Sequence, residues 1–312
     1  MNIVDLFCGG GGSSAGFHQA GFTTEFAVDL AEHCIDTFKL NFGDVVHKKD
    51  VSKLRYQEIE RFLSKPPTIV TASPPCEPFT SANQNRIFDP FDRLYSDETG
   101  RLMLHAIRLI ADLNPEYYFI ENVKGILDGE NQELLREEII DSGLSPPYFN
   151  IIEAERWGVP SKRTRVIISN IDLICPDFSQ ISVHDAIGDL PLPNYPDKYE
   201  WHITSSLPEK YMANLPSTSF GQSLVYFMGA KKQYQNYIRI LPDVPAPVVM
   251  GKSRFIHYSQ DRILTPLENA RLMTFPDTHQ YTGSLDYVYD IIGEAVPPKI
   301  TYEIAKQITS MV

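Results

Sequence analysis

The stretch SPPCEPFT, residues 73 to 80, holds a cysteine in a proline-rich loop. Pro74, Pro75 and Pro78 fix the backbone φ angle and remove N–H donors, so the loop is stiff and cannot continue a strand. The preceding run PTIVTAS predicts a strand, and open α/β sheets carry their reactive groups at the carboxyl ends of such strands. Cys76 is therefore a candidate nucleophile. Free cysteines are more often inert core residues, so the loop alone leaves both interpretations open.

Three further polar side chains belong to apolar segments. Glu121 ends the strand pattern EYYFIENV, and we expect it at the same sheet edge as Cys76. Removal from water there would favour its protonated form, a hydrogen-bond donor or general acid; the alternative is a surface glutamate that caps the next turn. Arg163 and Arg165 alternate in SKRTRVIIS and should point the same way, as a pair suited to a phosphate or a base edge.

A glycine-rich stretch, DLFCGGGGSSAG, lies between a predicted strand and a predicted helix. Gly10, Gly12 and Ala15 satisfy the dinucleotide pattern G-x-G-x-x-A. Asp29 follows about one β-α-β step later, where it could accept hydrogen bonds from ribose, and Asp50 could hold an adenine amino group. A nicotinamide dinucleotide and S-adenosylmethionine both fit this pattern, and the third reading is a loop that only turns tightly.

Elements that would position these residues are recognisable in the first 170 residues, where apolar runs alternate with helical patterns. This alternation predicts an α/β fold with a mainly parallel sheet. The predicted strands include NIVDLF, FTTEFAVDL, PTIVTAS, EYYFIENV and RVIIS. RLMLHAIRLIADL and NQELLREEIIDSG have helical periodicity and end at Asn114-Pro115 and at Gly143.

The pattern changes near residue 179 to proline-rich, aromatic sequence with strand-like fragments such as SLVYFM and VPAPVVM. A smaller, loop-rich domain is the simplest interpretation. In TPLENARLMTF a helix returns, with Thr265 as its N-cap and Pro266 in its first turn. The last segment, PPKITYEIAKQITSM, predicts an amphipathic helix that packs back on the sheet.

Composition narrows the class of protein. The net charge of −12 argues against nonspecific nucleic-acid binding, yet the segment from Gly221 to Thr265 carries six cationic and only two acidic side chains. The four cysteines lack the spacing of a zinc site or a disulfide framework. The sequence shows neither a signal peptide nor a long apolar segment, so we expect a cytoplasmic protein without a membrane partner or a metal.

Six stretches, in this order, resemble motifs of the DNA cytosine-5 methyltransferases: DLFCGGGGSSAGF, SPPCEPFT, ENVKG, RTRV, RILTPLENARLMTFPD and GEAVPP. The resemblance covers the chain apart from about residues 176 to 260. It departs from the family pattern at Glu77 and Ser161, where glutamine is usual, and at Glu294, where asparagine is usual. A carboxylate next to the cysteine should disfavour the thiolate.

The resemblance implies a chemistry for the candidate residues. Cys76 would add to C6 of cytosine as the covalent catalyst. Glu121 would contact N3 and the exocyclic amine, and Arg165 and Arg163 would contact the base, a phosphate or the cysteine loop. The resemblance also implies S-adenosyl-L-methionine as cofactor, bound by Phe7, Gly9, Gly11, Asp29, Asp50, Val51 and Pro75.

The implied architecture is a Rossmann-like methyltransferase sheet, residues 1–178 and 288–312, with a loop-rich target recognition domain, residues 179–287. A cytosine inside a duplex must be flipped out before it can react. We expect the polar stretch after Cys76 to be a mobile loop that closes over it. The predicted contacts to double-stranded DNA are Asn83, Gln84, Arg86, Lys231, Lys232, Lys252 and Arg254.

Several alternatives stay open at this point. A tRNA cytosine-5 methyltransferase of the same fold shares the Pro-Pro-Cys motif. An NAD-dependent oxidoreductase would not need Cys76 for its activity. Glu77 is compatible with a catalytically silent nucleic-acid-binding module. For the main interpretation we expect a monomer, with a cognate restriction endonuclease that acts separately as a candidate partner.

Overall fold

A seven-stranded sheet forms the centre of the molecule. The computed structural model describes residues 1–194, 199–205, 207–251 and 254–311. The strands of this sheet are β1 (Asn2–Leu6), β2 (Thr23–Asp29), β3 (Val46–Lys48), β4 (Ile69–Ala72), β5 (Tyr117–Val123), β6 (Tyr148–Glu153) and β7 (Thr164–Ser169). Their order is β3-β2-β1-β4-β5-β7-β6.

The first five strands pair in parallel, whereas β7 pairs antiparallel with both β5 and β6. All five residues of β1 are buried, as expected for a central strand covered on both faces. The predicted α/β fold with a mainly parallel sheet is therefore confirmed, and the antiparallel insertion of β7 is the feature that the strand pattern did not reveal.

Helices cover both faces of this sheet. They are α1 (Gly12–Gln19), α2 (Glu32–Phe42), α3 (Tyr56–Glu60), α4 (Pro90–Tyr95), α5 (Leu102–Leu113) and α6 (Asn131–Asp141), with short 3-10 helices at Lys124–Leu127 and Ala154–Trp157. The predicted helix before Asn114-Pro115 is α5, and it ends because Asn114 adopts a left-handed conformation with φ 45°.

The second half of the chain adds a smaller sheet. Its elements are α7 (Val183–Ile187), α8 (Glu209–Met212), β8 (Ser223–Met228), β9 (Gln233–Arg239), β10 (Phe255–Ile256), α9 (Pro266–Leu272), α10 (Leu285–Glu294) and α11 (Pro298–Met311). β8 and β9 form an antiparallel hairpin, and β10 pairs with the base of β9. SLVYFM is thus a strand as predicted. VPAPVVM is not, because its prolines lack N–H donors and only Ala246 forms a bridge, with Ser161.

Two local contacts stabilise the last helices of the chain. Thr265 caps α9 by accepting a hydrogen bond from the Glu268 backbone N–H, as predicted. α11 packs against α1 so closely that a Cβ on Gly16 would lie 2.0 Å from the Pro298 carbonyl oxygen. The predicted domain boundary at residue 288 falls inside α10, whose Ile291 and Ile292 belong to the core cluster of the smaller unit. The domain division stays a prediction.

Among the residues that the structure describes, every helix is too short or too polar to cross a membrane.

Candidate active site

An open cavity of about 1780 Å³ lies at the carboxyl ends of β1, β2, β4 and β5, facing the β8–β9 hairpin. Parallel strands end at one edge of the sheet, so the residues that follow them meet there. Every predicted catalytic and cofactor-binding residue except Gly11, which is the N-cap of α1, lines this cavity. The structure therefore brings these segments together at one sheet edge, as the strand pattern predicted, and the roles of the residues stay predictions.

The glycine loop and Asp29 form the first wall. Asp29 Oδ2 accepts the Gly9 N–H at 2.8 Å, and Oδ1 accepts the N–H groups of Leu30 and Ala31 at 2.8 and 2.9 Å. Gly9 has φ +53° and open space where a Cβ would lie, so a ligand can approach its backbone closely. Phe7 lies beside it with φ 57°.

The same wall discriminates between cofactors. A Cβ on Gly12, the first residue of α1, would lie 2.6 Å from the Val296 carbonyl oxygen, so the segment 295–296 covers the end of the helix where a pyrophosphate would bind. The carboxylates that line the cavity include Asp29, Asp50, Asp290 and Glu294. They would repel a pyrophosphate. The residues present therefore fit S-adenosylmethionine and disfavour a nicotinamide dinucleotide.

Asp50 and Val51 follow β3 on the far side of the cavity. Asp50 Oδ1 accepts hydrogen bonds from the Ser52 N–H and hydroxyl at 3.0 and 2.6 Å, and the hydroxyl bond is the main reason why the pKa of Asp50 is lowered. Asp50 is therefore a charged acceptor. Val51 is buried and Pro75 is half-buried at the cavity wall.

Cys76 is held in a tight turn after β4. Its carbonyl oxygen accepts the N–H groups of Phe79 and Thr80 at 3.0 and 2.9 Å. The side chain of Asn122, which is fully buried in β5, donates to the Pro74 carbonyl at 3.1 Å and thereby ties the cysteine loop to the strand that carries Glu121. Sequence reasoning missed Asn122, although a polar residue in an apolar strand was a usable signal.

The environment of Cys76 keeps its thiol protonated. Burial raises the pKa of Cys76 to about 11; the positive charge of Arg165 opposes this shift, and the carboxylates of Glu121 and Glu77 add to it. Below that pKa the thiolate is the minor form, so a nucleophilic role requires that substrate binding lower the pKa or remove the proton.

Alkylation should report this environment. We expect the rate at which iodoacetamide alkylates Cys76 to rise about tenfold per pH unit between pH 7 and 9, because the reactive thiolate increases in that proportion below the pKa. Glu77→Gln removes a charge that raises the pKa and should accelerate alkylation at a fixed pH. Mass spectrometry of the Cys76 peptide measures both rates.

The matched control for this experiment is Glu60→Gln, which removes an exposed carboxylate on α3 that does not line the cavity. A rate for the unmodified protein that stays constant across this pH range would show that the thiolate is already formed, contrary to the expected environment.

Glu121 and Arg165 form a pair opposite Cys76. Arg165 Nε lies 3.0 Å from Glu121 Oε1, and the two side chains are only 15% and 12% exposed. This contact is an ion pair without hydrogen-bond alignment, and Glu121 Oε1 is a buried oxygen that has no hydrogen-bond partner within the described residues. A buried polar atom in that position is suited to a ligand that enters the cavity.

Arg163 lines the cavity with Arg165, as the alternation predicted, but its guanidinium group has backbone partners that the pattern did not indicate. It is 2% exposed, and its guanidinium group donates to the carbonyl oxygens of Val249, Gly293 and Ala295 at 3.1, 2.8 and 3.1 Å. Arg163 thus fixes the segment that covers the glycine loop. A direct catalytic contact has no support in this arrangement and stays a prediction.

The cysteine loop is more structured than its polar sequence suggested. It includes the helix α4, which Asp89 caps. The Arg86 side chain is only 4% exposed, and Nη1 donates to the Phe79 carbonyl at 2.8 Å, so it braces the loop from inside. Asn83 donates to the Glu77 carbonyl at 3.0 Å, whereas Gln84 is exposed. Contacts of these three residues to DNA stay predictions.

The predicted cationic residues of the smaller unit differ in their exposure to solvent. Lys231 and Lys232 are exposed at the turn of the hairpin. Arg254 is 11% exposed, pairs with Asp286 at 3.0 Å and stacks on the Tyr289 ring. Lys252 lies outside the described residues. Lys231 and Lys232 are therefore the accessible members of the set that the structure describes.

The hairpin turn contacts the cysteine loop across the cavity. The Ala230 N–H donates to the Ser81 carbonyl at 2.9 Å, and the hydroxyl oxygens of Ser81 and Tyr234 lie 2.5 Å apart. A Cβ on Gly229 would lie 2.5 Å from the same carbonyl oxygen, so the turn requires glycine there. No sequence pattern indicates this contact, which depends on how the two sheets pack.

Comparisons with known proteins extend over the full chain. A family model described as C-5 cytosine-specific DNA methylase matches residues 1–310. Putative type II methyltransferase M.MjaORF1200P of Methanocaldococcus jannaschii is 34% identical over 366 residues, which cover 99% of this chain and 98% of that protein. Putative type II methyltransferase M.MJ0563P of the same organism is 35% identical over 314 residues, which cover 99% of each chain.

One solved structure supports the fold independently. The crystal structure of a putative DNA modification methyltransferase encoded within an E. coli prophage superposes with a TM-score of 0.77 and 24% identity, and the match covers 99% of each chain. At that identity the likeness shows the fold alone.

Proposed function

The chain belongs to the C-5 cytosine-specific DNA methylase family, and from this premise we propose that it methylates C5 of a cytosine flipped out of a specific duplex DNA sequence. The methyl donor is S-adenosyl-L-methionine, and the reaction proceeds through a covalent bond between Cys76 and C6 of the base. The observation that carries the proposal is that Cys76, Glu121 and Arg165 line the same cavity as the glycine loop and Asp29.

Cys76 has the role of nucleophile. Its sulfur adds to C6, and the electron pair of the C5–C6 double bond moves toward C5, which thereby becomes nucleophilic. After C5 has gained the methyl group, a base removes the C5 proton and the Cys76 sulfur leaves. The raised pKa of the free thiol means that the proton must be lost as the target base binds.

Glu121 has the role of stabilising the charge that develops on the ring. Its Oε1, which accepts no hydrogen bond from the described residues, can contact N3 or the exocyclic amine of the base, and a hydrogen bond to N3 requires the protonated carboxyl group. Arg165 orients this carboxyl group through the 3.0 Å ion pair, and its charge lowers the pKa of Cys76. Arg163 has an indirect role, because it holds the carbonyl oxygens beside the cofactor end.

The residues proposed to hold the cofactor are Phe7, Gly9, Gly11, Asp29, Asp50, Val51 and Pro75. Asp29 is placed to accept from the ribose hydroxyls, and Asp50 from the adenine amine. When bound, S-adenosyl-L-methionine supplies a methyl sulfonium, an electrophile for C5.

Residues 179–287 are proposed to recognise the DNA target. The exposed Lys231 and Lys232 can contact phosphates next to the cavity. Base flipping costs a few kcal/mol, which these contacts and the pocket must offset. The relatives are named type II methyltransferases, so a restriction endonuclease that recognises the same sequence is the proposed partner system.

A transfer assay tests the substrate class. With cofactor labelled on its methyl group, we expect incorporation into duplex DNA and none into total tRNA, because the family match is to DNA methylases. Bisulfite sequencing of the product DNA should place the modification at one sequence context. Incorporation into tRNA alone would contradict the proposal and favour a tRNA cytosine-5 methyltransferase of the same fold.

A further inference from the structure

The outer face of the β8–β9 hairpin carries an uncharged set of exposed side chains. Tyr226 pairs with Gln235 and Met228 pairs with Gln233 across the two strands. Residues that are directly opposite, or two apart in one strand, share a face of the sheet, so these four side chains lie together. Tyr226 and Met228 are 52% and 59% exposed, and both glutamines are exposed.

The opposite face of the hairpin is occupied. Phe227 and Tyr234 stack with their ring centroids 5.6 Å apart, and Tyr234 contacts Ser81 in the cysteine loop. Gln233 and Gln235 line the same cavity as Cys76. The outer face is therefore held at the rim of the catalytic cavity, and its position is fixed by contacts that do not use the two glutamines.

The shape of the hairpin suits a DNA groove. β10 pairs only with Ile238 and Arg239, so residues 226–235 form a two-stranded ribbon. Such a ribbon fits the major groove of B-DNA, which is about 12 Å wide. Residues two apart on a strand are about 6.8 Å apart, close to twice the 3.4 Å spacing of base pairs, so the two glutamines can address base pairs two steps apart.

The chemistry of the face selects among the bases. A glutamine amide can form two hydrogen bonds with adenine, at N6 and N7, and apolar groups such as those of Met228 and Tyr226 can contact the thymine methyl group. Guanine is usually read by arginine or lysine, and this four-residue face has neither. The exposed Lys231 lies at the turn and pairs with Asp128 at 3.5 Å, and the Lys232 Nζ lies over the Tyr234 ring.

We propose that Gln233 and Gln235 read adenine in the major groove, so that the methylated sequence includes at least one A·T pair within a few base pairs of the target cytosine. This inference rests on the proposed function and specifies the substrate within it. Tyr226 and Met228 contact the thymine partners, and the lysines at the turn contact phosphate.

The test begins with expression of the protein in a host that lacks cytosine-5 methyltransferases and bisulfite sequencing of the host DNA. We expect a methylated motif that contains an A·T pair close to the cytosine. The values of kcat/KM are then measured on duplexes with the cognate motif and on duplexes in which each A·T pair is replaced by G·C. The enzymes compared are the unmodified protein, Gln233→Leu and Gln235→Leu.

At least one of the two variants should lose about 5- to 150-fold of the preference for A·T at one position, the range expected for one bidentate contact. Calorimetric affinity for the cofactor should not change. Gln57→Leu is the matched control, because Gln57 is exposed on α3, lies outside residues 179–287 and does not line the cavity. It should keep the full preference.

Two results would overturn the assignment of the glutamines while leaving the proposed function intact: a methylated motif with only G·C pairs around the target, or folded variants that both keep the original preference. Gln235→Arg gives an independent readout, since kcat/KM should rise for duplexes that carry guanine at the position that Gln235 contacts. No methylation of DNA by the unmodified protein would instead reject the proposed function, and this inference with it.

Discussion

Replacement of Cys76 by serine is expected to lower the rate of methyl transfer to duplex DNA by roughly 10⁴- to 10⁶-fold, the scale seen when an enzyme loses its nucleophile. A serine hydroxyl has a much higher pKa than a thiol and is a poorer nucleophile toward C6. The rate should be measured under single-turnover conditions with labelled cofactor, so that product release does not mask the chemical step.

A trapping experiment makes this prediction specific. Duplex DNA with 5-fluorocytosine at the target should form a stable covalent complex with the unmodified protein, because the fluorine cannot leave as the C5 proton does. The complex should be detected by denaturing electrophoresis and located at Cys76 by peptide mapping. Cys175→Ser is the matched control, since Cys175 does not line the cavity. An unchanged rate in Cys76→Ser would show that another group attacks the base.

Glu121→Gln is expected to lower the single-turnover rate by about 10²- to 10⁴-fold, the usual scale for one general-acid group. Glutamine keeps the shape of the side chain but cannot donate a carboxyl proton to N3, and it also loses the ion pair with Arg165. Affinity for the cofactor, measured by calorimetry, should change little, because β5, which carries Glu121, lies three strand positions from β2, which carries Asp29.

The control for this variant lies immediately before the same strand. Glu116 precedes β5 at the other edge of the sheet and is exposed, so Glu116→Gln should keep the original rate. If Glu121→Gln transferred methyl groups as fast as the unmodified protein while remaining folded, the carboxyl group would have no part in the chemistry.

The convergence of the site on one sheet edge followed from the strand pattern. Phe7, Asp29, Cys76 and Glu121 each end or closely follow a predicted strand, and parallel pairing places the carboxyl ends of these strands side by side. Local sequence therefore carried most of the information about which residues meet in the cavity.

The positions of long cationic side chains did not follow from local sequence. Arg163, Arg86 and Arg254 were predicted to face a base, a phosphate or DNA, yet each is at most 11% exposed. Their direction depends on acceptors that tertiary packing brings near, such as the Gly293 carbonyl, 130 positions from Arg163. The alternation of side chains along a strand carries no information about such contacts.

The contact of Gly229, Ala230 and Tyr234 with Ser81 also escaped sequence reasoning for the same reason, since it joins the hairpin of the smaller sheet to the loop after β4. Its short distances show that the wall of the cavity above Cys76 is shared by both units. Residues of both sheets therefore line the cavity.

The segment 295–296, which covers the glycine loop, has a consequence for the biosynthesis of the protein. A ribosome synthesises the glycine loop within the first 12 residues, but the carbonyl oxygens that Arg163 binds and the Val296 backbone that packs on Gly12 emerge last. A nascent chain therefore carries the nucleophile and half of the cofactor wall for most of its synthesis without a finished site. We therefore expect chains whose translation stops before residue 293 to be inactive, because they lack the backbone that Arg163 and Gly12 contact.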